Sequence, residues 1–524
     1  MNGQSGPVHT IVFYEMGCIH WHSMGWMGPY RGSLPSMHLP QPERKTRAVR
    51  QRIQHRNTPE SRSRPLDQID QPHFSKLIRC EATQVCLEQA HARAVRRQIG
   101  CRCNMRVAVV GAGISGLVVA HSLHQQHEIT VFEAADRIGG HTNTVVVPAT
   151  GREWAIDTGF IVYNDRTYPN FCQIIDELGV SWQPTEMSFS VRCDCTGQEY
   201  QGSSWNGLFA QRSNLWRPRF YRLIRDIVRF NREWRSLADN TSHTETVSTF
   251  LERCGVGREF VEQYFVPMGS AIWSCPPGTF GEFPVRFVLD FYDNHGLLQL
   301  RDRPQWRVIE GGSRTYVEAL TRPFASQLHT QCPVTHIDRD NQRIRLETPR
   351  GNQEFDHVVF ACHSDQALSI LGSAATEQER EILGAFPYET SSAVLHTDTR
   401  LLPRRRRAWA SWNYLRLPDR LDKAVVTYNM NILQHIKSDV EFCVTLNADD
   451  LIAAEHVLYR TTYQHPVYTQ NRQAAQARHS ELINRHRTSF CGAYWGNGFH
   501  EDGVRSALAV SRRLAHVDTN RLGS

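Results

Sequence analysis

The chain has 524 residues, enough for two or three domains, and carries 59 Lys and Arg against 53 Asp and Glu. No run of 18 or more apolar residues occurs and no secretory signal is visible, so the sequence predicts no membrane-spanning helix. Nine of the 14 cysteines follow Met105 without the spacing of a disulfide framework or a zinc site. This is typical of reduced thiols in the cytoplasm, and we predict no metal site. Cys193 and Cys195 are interpreted as part of a strand or hairpin.

The positive charge is concentrated at one end of the chain. Residues 1–104 hold 15 Lys and Arg against 7 Asp and Glu, whereas residues 105–524 hold 44 against 46. The first segment also lacks a sustained hydrophobic period, which predicts a disordered extension. Three interpretations stay open: a basic arm for nucleic acid or an acidic membrane, a transit peptide, and a true start at Met105. We favour the start at Met105, because that residue begins the first predicted strand.

Residues 105–133, MRVAVVGAGISGLVVAHSLHQQHEITVFE, predict a strand, a glycine turn, a helix and a second strand. Gly111, Gly113 and Gly116 form the motif G-x-G-x-x-G. The first glycine permits a tight turn, the second lets the backbone approach a pyrophosphate, and the third lets helix and strand pack closely. The helix N-terminus then faces the phosphates, and Glu133 is placed to accept hydrogen bonds from an adenosine ribose. The segment therefore predicts a dinucleotide site.

Two further segments specify which dinucleotide is bound. Residues 137–141 read Arg-Ile-Gly-Gly-His, and residues 157–159 read Asp-Thr-Gly. Together with the first motif they resemble the extended fingerprint of the FAD-dependent amine oxidase and phytoene desaturase superfamily. The resemblance implies that Arg137 and the paired glycines hold the FAD pyrophosphate from its second side. His141 stands where many members carry another arginine.

The resemblance continues to the C-terminal part of the chain. Residues 311–313 read Gly-Gly-Ser, and residues 490–504 read FCGAYWGNGFHEDGV. The second segment is similar to the closing flavin motif of the family, at the start of a helix. By this resemblance, N–H groups around Gly503 and Val504 face the isoalloxazine carbonyl. More narrowly, the chain is similar to a bacterial branch of predicted NAD/FAD-binding oxidoreductases.

The resemblance implies noncovalent FAD, because no cysteine has a setting like that of the covalent flavin-linking one. The implied FAD-binding residues come from these motifs and from a strand beside the adenine. They are Gly111, Gly113, Ile114, Ser115, Gly116, Glu133, Ala134, Arg137, Gly139, Gly140, His141, Asp157, Gly159, Gly312, Val334, Asp502, Gly503 and Val504.

The fold class expected is α/β: a Rossmann-like FAD-binding domain with an inserted α+β substrate domain. The FAD-binding domain is assigned to residues 105–185, 305–389 and 490–524, and the substrate domain to residues 186–304 and 390–489. Strands are predicted at residues 334–338, 343–348, 356–361, 392–397, 424–429 and 442–446.

Residues 215–237, LWRPRFYRLIRDIVRFNREWRSL, combine an apolar helical stripe with seven arginines. The stripe contains Trp216, Phe220, Leu223, Ile224, Ile227, Val228 and Phe230. We expect it to lie on the core of its own domain. A basic amphipathic helix is also typical of proteins at an anionic membrane surface, so peripheral membrane contact stays open beside a cytoplasmic location.

The expected chemistry places a substrate against the flavin in a dry cavity. Phe499 aligns with a tyrosine of the family's aromatic cage, and the strand at residues 391–396 resembles the one that bears the amine oxidases' lysine. We place that lysine position on Leu395 or His396. Because imidazole titrates near neutral pH, His396 is the candidate for handling a proton.

These features favour an FAD oxidoreductase that dehydrogenates or isomerises an apolar, lipid-like substrate. The alternatives are a flavin-containing amine oxidase, and a flavoprotein whose basic arm binds nucleic acid or a membrane. We expect no nucleic acid partner. The sequence leaves the electron acceptor open among oxygen, a quinone and NAD(P).

Overall fold

The structure is a computed structural model, and it describes residues 105–515 except 240, 243, 300–303 and 341. The predictions for residues 1–104, namely a disordered arm, a transit peptide or an early start, lie outside the described residues.

The described residues form both helices and strands. The strands are β1 Arg106–Val110, β2 Glu128–Phe132, β3 Thr144–Ala149, β4 Arg152–Asp157, β5 Tyr163–Asn164, β6 Trp182–Thr185, β7 Phe189–Cys193, β8 Gln198–Gln201, β9 Trp306–Ile309, β10 Leu328–His329, β11 His336–Arg339, β12 Ile344–Thr348, β13 Gly351–Phe355, β14 His357–Phe360, β15 Tyr388–His396, β16 Trp412–Arg416, β17 Val425–Asn429, β18 Cys443–Leu446, β19 Val457–Pro466, β20 Ile483–Arg485 and β21 Thr488–Phe490. The helices are α1 Ile114–Leu123, α2 Pro169–Glu177, α3 Trp205–Leu208, α4 Pro218–Asp239, α5 Val247–Arg253, α6 Arg258–Phe260, α7 Val266–Trp273, α8 Pro277–Gly281, α9 Val285–Asn294, α10 Arg314–Thr321, α11 Ser364–Leu371, α12 Glu377–Leu383, α13 Met430–Leu433, α14 Gln470–Ala477 and α15 His500–Ala515.

The first large sheet runs in the order β10–β2–β1–β14–β21–β20. Neighbours from β10 to β21 are parallel, and β20 adds an antiparallel edge. Its central strands are continuous apolar runs, because helices cover both faces of a parallel sheet. Val107 to Val110 and Val358 to Phe360 are accordingly buried. Helix α1 connects β1 to β2, which makes the predicted strand–helix–strand unit and confirms the α/β fold class.

The second large sheet runs in the order β19–β15–β18–β17–β16–β7–β8. Its pairs are antiparallel apart from β16 and β7. Strands predicted at residues 424–429 and 442–446 match β17 and β18 within one residue. Strand β15 begins at Tyr388, four residues earlier than predicted, because it pairs with β19 along its whole length.

The helices of residues 205–294 share one apolar core with the second sheet. That core contains Phe220 and Phe230 of α4, Trp273 of α7 and Tyr414 of β16. The stripe of α4 is therefore core, as expected, with one exception. Trp216 precedes the helix in a 3-10 turn, Arg212–Trp216, and is 86% exposed.

The Cys193–Cys195 segment forms the turn between β7 and β8, as the hairpin interpretation predicts. No helix in the described part of the chain is both long and apolar enough to cross a membrane.

Candidate active site

A cavity of about 900 Å³ is lined by residues of both large sheets. Val110 and Phe132 come from the first sheet, and Trp412 and Tyr428 come from the second. Loops that follow the strands of the first sheet complete its wall. One end of the cavity is therefore the predicted dinucleotide site. The other end is a second region, lined by side chains of the second sheet.

The glycine motif forms the wall beside the start of α1. Gly111 has a φ of +105°, which only glycine adopts readily, and it makes the tight turn. A Cβ on Gly113 would meet nothing within 4 Å, so this backbone faces open cavity. A Cβ on Gly116 would lie 2.0 Å from the Gly111 carbonyl oxygen, so its absence permits close packing of helix and strand. Each glycine has the geometry that its place in the motif predicts.

Glu133 directly follows β2 at the edge of the cavity. One carboxylate oxygen accepts the N–H of Ala112 at 2.7 Å, and the other accepts the N–H of Ala135 at 2.9 Å. A carboxylate has about four lone-pair positions, so two bonds leave acceptor capacity toward the cavity. Val334, two residues before β11, lines the same region.

Arg137 and the paired glycines form the opposite turn. The Arg137 guanidinium donates to the carbonyl oxygens of Gly140 at 2.8 Å and Thr142 at 3.3 Å. The N–H of Gly139 donates to the Ala112 carbonyl at 2.8 Å, which ties this turn to the glycine motif. Both turns thus present backbone to one stretch of the cavity, as a pyrophosphate requires.

Twelve predicted cofactor residues lie in the cavity wall. They are Gly111, Gly113, Ile114, Ser115, Glu133, Ala134, Arg137, Gly139, Gly140, His141, Gly159 and Val334. Gly116 lies behind the wall, where it packs α1 on β1. These positions agree with the assignment made from the motifs.

Asp157 and Gly312 do not line the cavity, which corrects their predicted role. The Asp157 carboxylate is fully buried and accepts bonds from Ser313 N at 2.9 Å, Thr144 Oγ1 at 2.6 Å and Gln434 Nε2 at 3.2 Å. Burial raises the pKa of Asp157 to about 6, although the hydrogen bonds from Thr144 and Ser313 act to lower it. A Cβ on Gly312 would lie 2.5 Å from the Thr144 methyl. These residues brace the wall instead of contacting its contents.

The closing motif is also corrected in part. Phe499 lines the cavity, but Asp502, Gly503 and Val504 do not. The Asp502 carboxylate accepts the N–H groups of Asn497 at 2.8 Å and Phe499 at 3.1 Å, which caps the start of α15. The Gly503 N–H donates to the Phe499 carbonyl at 3.2 Å, and Val504 is fully buried. Asp502 and Gly503 therefore use their polar groups to brace Phe499, whereas Asn497 and His500 of the same motif line the cavity.

Two residues between Phe499 and Asp502 have structural contacts that the sequence did not reveal. The His500 ring stacks on Phe160 with centroids 3.5 Å apart and bonds Thr142 Oγ1 at 3.0 Å. The Glu501 carboxylate accepts the Phe171 N–H at 3.0 Å at the start of α2. There it satisfies free N–H groups of that helix and favours its dipole.

His396 lies outside the cavity wall, which removes its predicted role as a proton-handling residue. Its side chain is fully buried, its Nδ1 accepts the Asp398 N–H at 3.0 Å, and its Nε2 donates to Thr445 Oγ1 at 2.7 Å. Burial lowers its pKa to about 4. Tyr388 and Thr390 are the residues of β15 that line the cavity. His396 is six residues further along, roughly 20 Å at strand geometry.

Five other histidines line the cavity, and three of them are neighbours: His141, His363 and His465. The His141 ring centroid is 5.4 Å from that of His465 and 6.2 Å from that of His363. Burial and the neighbouring rings lower the pKa of His141, and burial lowers that of His465 to about 4. The buried Nδ1 of His465 has no hydrogen-bond partner among the described residues. Sequence analysis named His141 but missed His465, because strand β19 brings His465 beside the motif from 324 residues away.

Much of the remaining wall is apolar and aromatic. Residues of this kind include Met187, Phe189, Met268, Ile272, Trp273, Phe291, Leu297, Trp306, Trp412, Tyr428, Leu446 and Phe499. Uncharged polar side chains, among them Ser188, Ser274 and Thr390, also line the cavity. Among the described residues that line the cavity, Glu133 and Arg137 are the sole members of the Asp, Glu, Lys and Arg types, and both belong to the dinucleotide end. His295 is here too, and burial lowers its pKa to about 4. This region can hold an apolar molecule away from charge.

The residues present fit FAD. The open backbone at Gly113, the second turn at Gly139 and the spare acceptor capacity of Glu133 match a pyrophosphate and a ribose. The Nδ1 of His465 has no partner among the described residues, so it is free to form a hydrogen bond with a molecule bound in the cavity.

Known proteins agree with this geometry. The profile of the family described as flavin containing amine oxidoreductase matches residues 114–437. The chain is 24% identical over 278 residues to the putative flavin-containing monoamine oxidase AofH of Mycobacterium tuberculosis, covering 49% of this chain and 56% of that protein. It is 23% identical over 278 residues to amine oxidase A of Sus scrofa, covering 49% and 48%. The chain thus spans about half the length of the curated relatives it matches.

Solved structures show the same fold. The cyclohexylamine oxidase of Brevibacterium oxydans superposes with a TM-score of 0.57 at 16% identity, covering 79% of this chain and 99% of that one. A CLA-producing fatty acid isomerase from P. acnes gives 0.56 at 17% identity, covering 78% and 98%. The family profile matches more than half of the chain, and the cavity has the features of its cofactor site. The chain therefore belongs to the flavin-containing amine oxidoreductases, a family of FAD-dependent oxidoreductases.

Proposed function

We propose that the protein dehydrogenates or isomerises an apolar, lipid-like substrate with FAD. The observation that carries this proposal is the composition of the substrate region, where apolar and aromatic side chains predominate beside a few uncharged polar ones and no described residue of the Asp, Glu, Lys or Arg types lines the cavity. Burial of apolar surface is the main source of affinity in such a cavity. An uncompensated charge in it would be costly.

The same composition argues against a simple amine as substrate. A protonated amine would find no carboxylate in the substrate region, and the wall histidines are held neutral by burial. Phe499 contributes an apolar face without a hydroxyl group. On β15, the residue that faces the cavity beyond Tyr388 is Thr390, not a lysine. The fold alone does not decide, because its solved members include an amine oxidase and a fatty acid isomerase.

FAD, when bound, supplies the two-electron acceptor. The chain must hold a substrate C–H against it, exclude water and accept the proton that a dehydrogenation releases. We assign proton acceptance to His465, whose neutral ring lines the cavity and whose Nδ1 is unpartnered in the described residues. Because burial lowers its pKa to about 4, the ring would pass the proton on and would not hold it near neutral pH. The His141 ring lies beside it, with the two ring centroids 5.4 Å apart.

Anaerobic incubation of the purified, yellow protein with amine, fatty-acyl and polyene pools tests the proposal. A dehydrogenase bleaches the flavin with an apolar pool, whereas an isomerase moves a double bond without net bleaching, which mass spectrometry with chemical derivatisation detects. Rapid peroxide release with a common amine in air would overturn the proposal.

A pair of variants locates the reaction. Ile272→Glu puts a carboxylate in the substrate region, and Leu421→Glu puts one at a site that is 49% exposed. We expect Ile272→Glu to abolish turnover of the apolar substrate while FAD stays bound, and Leu421→Glu to leave both unchanged. Equal activity of the two variants would show that the substrate binds elsewhere.

A further inference from the structure

A basic and aromatic surface lies at the start of α4. Of the six large apolar side chains that are exposed in the described part of the chain, Leu215, Trp216 and Tyr221 fall within seven residues. Trp216 is 86% exposed, which is unusual because tryptophan side chains are highly buried on average. Exposed apolar side chains that cluster mark interaction sites, whereas scattered ones need no explanation.

Arginines surround these side chains, and together they form the basic-aromatic patch. The patch consists of Arg212, Leu215, Trp216, Arg219, Tyr221, Arg222 and Arg225. The Tyr221 hydroxyl donates to the Leu215 carbonyl at 3.0 Å, which fixes the 3-10 turn against the helix. Arg222 stands one helical turn from both Arg219 and Arg225, so the three charges share one face.

Neighbouring carboxylates balance the positive charge of the patch only in part. Arg219 and Arg222 share Glu259, at 3.9 Å and 3.8 Å. Asp226, beside Arg225, is buried and also accepts the N–H of Gly257 at 3.0 Å. The side chains of Arg219 and Arg225 are 75% and 69% exposed, so their charge faces solvent.

We propose that the basic-aromatic patch docks on an anionic lipid bilayer. Trp and Tyr rings favour the headgroup region of a membrane, and arginines are attracted by the negative surface potential of anionic lipids. The aliphatic Leu215 gains from contact with lipid chains but gains nothing from stacking on a nucleic acid base. The proposal does not depend on the identity of the substrate.

The inner side of α4 connects the patch to the substrate region. Phe220, Leu223 and Ile224 belong to the same apolar core as Met268 and Trp273, which line the cavity. A bilayer on the outer side of α4 would therefore lie against the same apolar core that contributes Met268 and Trp273 to the cavity wall.

Vesicle sedimentation with the full chain tests the proposal. Vesicles of phosphatidylcholine with phosphatidylserine are compared with phosphatidylcholine alone, at low and high salt. We expect binding to the anionic vesicles that weakens with salt, and a blue shift of tryptophan fluorescence that Trp216→Ala diminishes. The triple variant Arg219→Gln, Arg222→Gln, Arg225→Gln should bind about tenfold or more weakly.

The matched control removes three arginines elsewhere: Arg286→Gln, Arg343→Gln and Arg345→Gln, whose side chains are 50%, 61% and 55% exposed. It should bind as the wild type does, and all variants should keep FAD. Since each variant retains residues 1–104, unchanged binding of the patch variant would assign the membrane affinity elsewhere and overturn the proposal. Binding to duplex DNA that the patch variant loses, without vesicle binding, would overturn it as well.

Discussion

The two parts of the cavity are built in different ways. The dinucleotide part is made of backbone: Gly111, Gly113 and Gly139 bring the chain close to the space that a pyrophosphate needs, and Glu133 is anchored by two N–H groups. The substrate part is made of side chains from several distant segments. A part made of backbone tolerates few residue types and changes little, whereas a part made of side chains can change its specificity without disturbing the fold.

The largest expected effect separates two glycines of one motif. Gly113→Val should fold but bind no FAD, because its φ of −75° suits any residue and its side chain would enter the cavity. Gly116→Val should fail to fold, because its Cβ would overlap the Gly111 carbonyl oxygen. Flavin absorbance and circular dichroism check both. Gly278→Val, where a Cβ meets nothing within 4 Å, is the control. A yellow Gly113→Val would mean that the motif has been misread.

The sequence predicts the part of the cavity made of backbone well, because that part tolerates few residue types. A glycine turn needs particular residues at fixed spacing, so twelve of the implied cofactor residues are found in the wall. It fails where the position of a side chain depends on tertiary packing. Asp502 and Asp157 are polar residues close to the cofactor site. No sequence pattern distinguishes a carboxylate that holds neighbouring protein groups in place from one that contacts the cofactor. His396 was placed by strand alignment, and its strand runs away from the cavity.

The next effect compares two buried histidines. Flavin reduction by the substrate that the anaerobic screen identifies should slow by roughly 10²–10⁴-fold in His465→Gln if proton transfer limits it. His396→Gln removes a fully buried ring outside the wall and should leave the rate within a small factor of wild type. Stopped-flow absorbance measures both, with FAD content as the check on folding. Equal rates for His465→Gln and wild type would mean that water, and not His465, accepts the proton.

A smaller effect is expected at the ribose. Glu133→Ala leaves the Ala112 and Ala135 N–H groups without their acceptor and removes the predicted ribose contact. The cost of roughly 1–3 kcal/mol corresponds to an FAD affinity about 5- to 150-fold lower. Titration of the apoprotein with FAD measures it. Glu128→Ala, an exposed carboxylate on the same strand, should bind FAD normally.

The smallest effect is a pH dependence of stability. Burial lowers the pKa of His500 to about 3, whereas an unfolded histidine titrates near 6.5, so the unfolded state binds more protons between these values. Stability should therefore fall with acid below about pH 6.5, by about 2 kcal/mol at pH 5 from this residue. Thermal unfolding at pH 7.5 and pH 5 measures it. His500→Gln should show a shallower decline than the exposed variant His336→Gln.

Asp157 acts in the opposite direction within this window. Its pKa is raised to about 6, so its contribution to stability is present in acid and is lost as the pH rises through that value. Because His465 and His295 shift in the same sense as His500, the histidines should outweigh it. A protein that grows more stable on going from pH 7.5 to pH 5 would contradict this assignment.

The contact between Glu501 and the start of α2 has a consequence for how the chain folds. The carboxylate that caps α2 is 330 residues away from it in sequence, and the Arg106 N–H donates to Asp356, 250 residues later. At the usual speed of translation, roughly 5–20 residues per second, the first strand and helix wait tens of seconds for these partners. During that time an apolar strand edge stays unpaired, which favours aggregation. We therefore expect the yield of folded protein to depend on chaperones and on slow synthesis at low temperature.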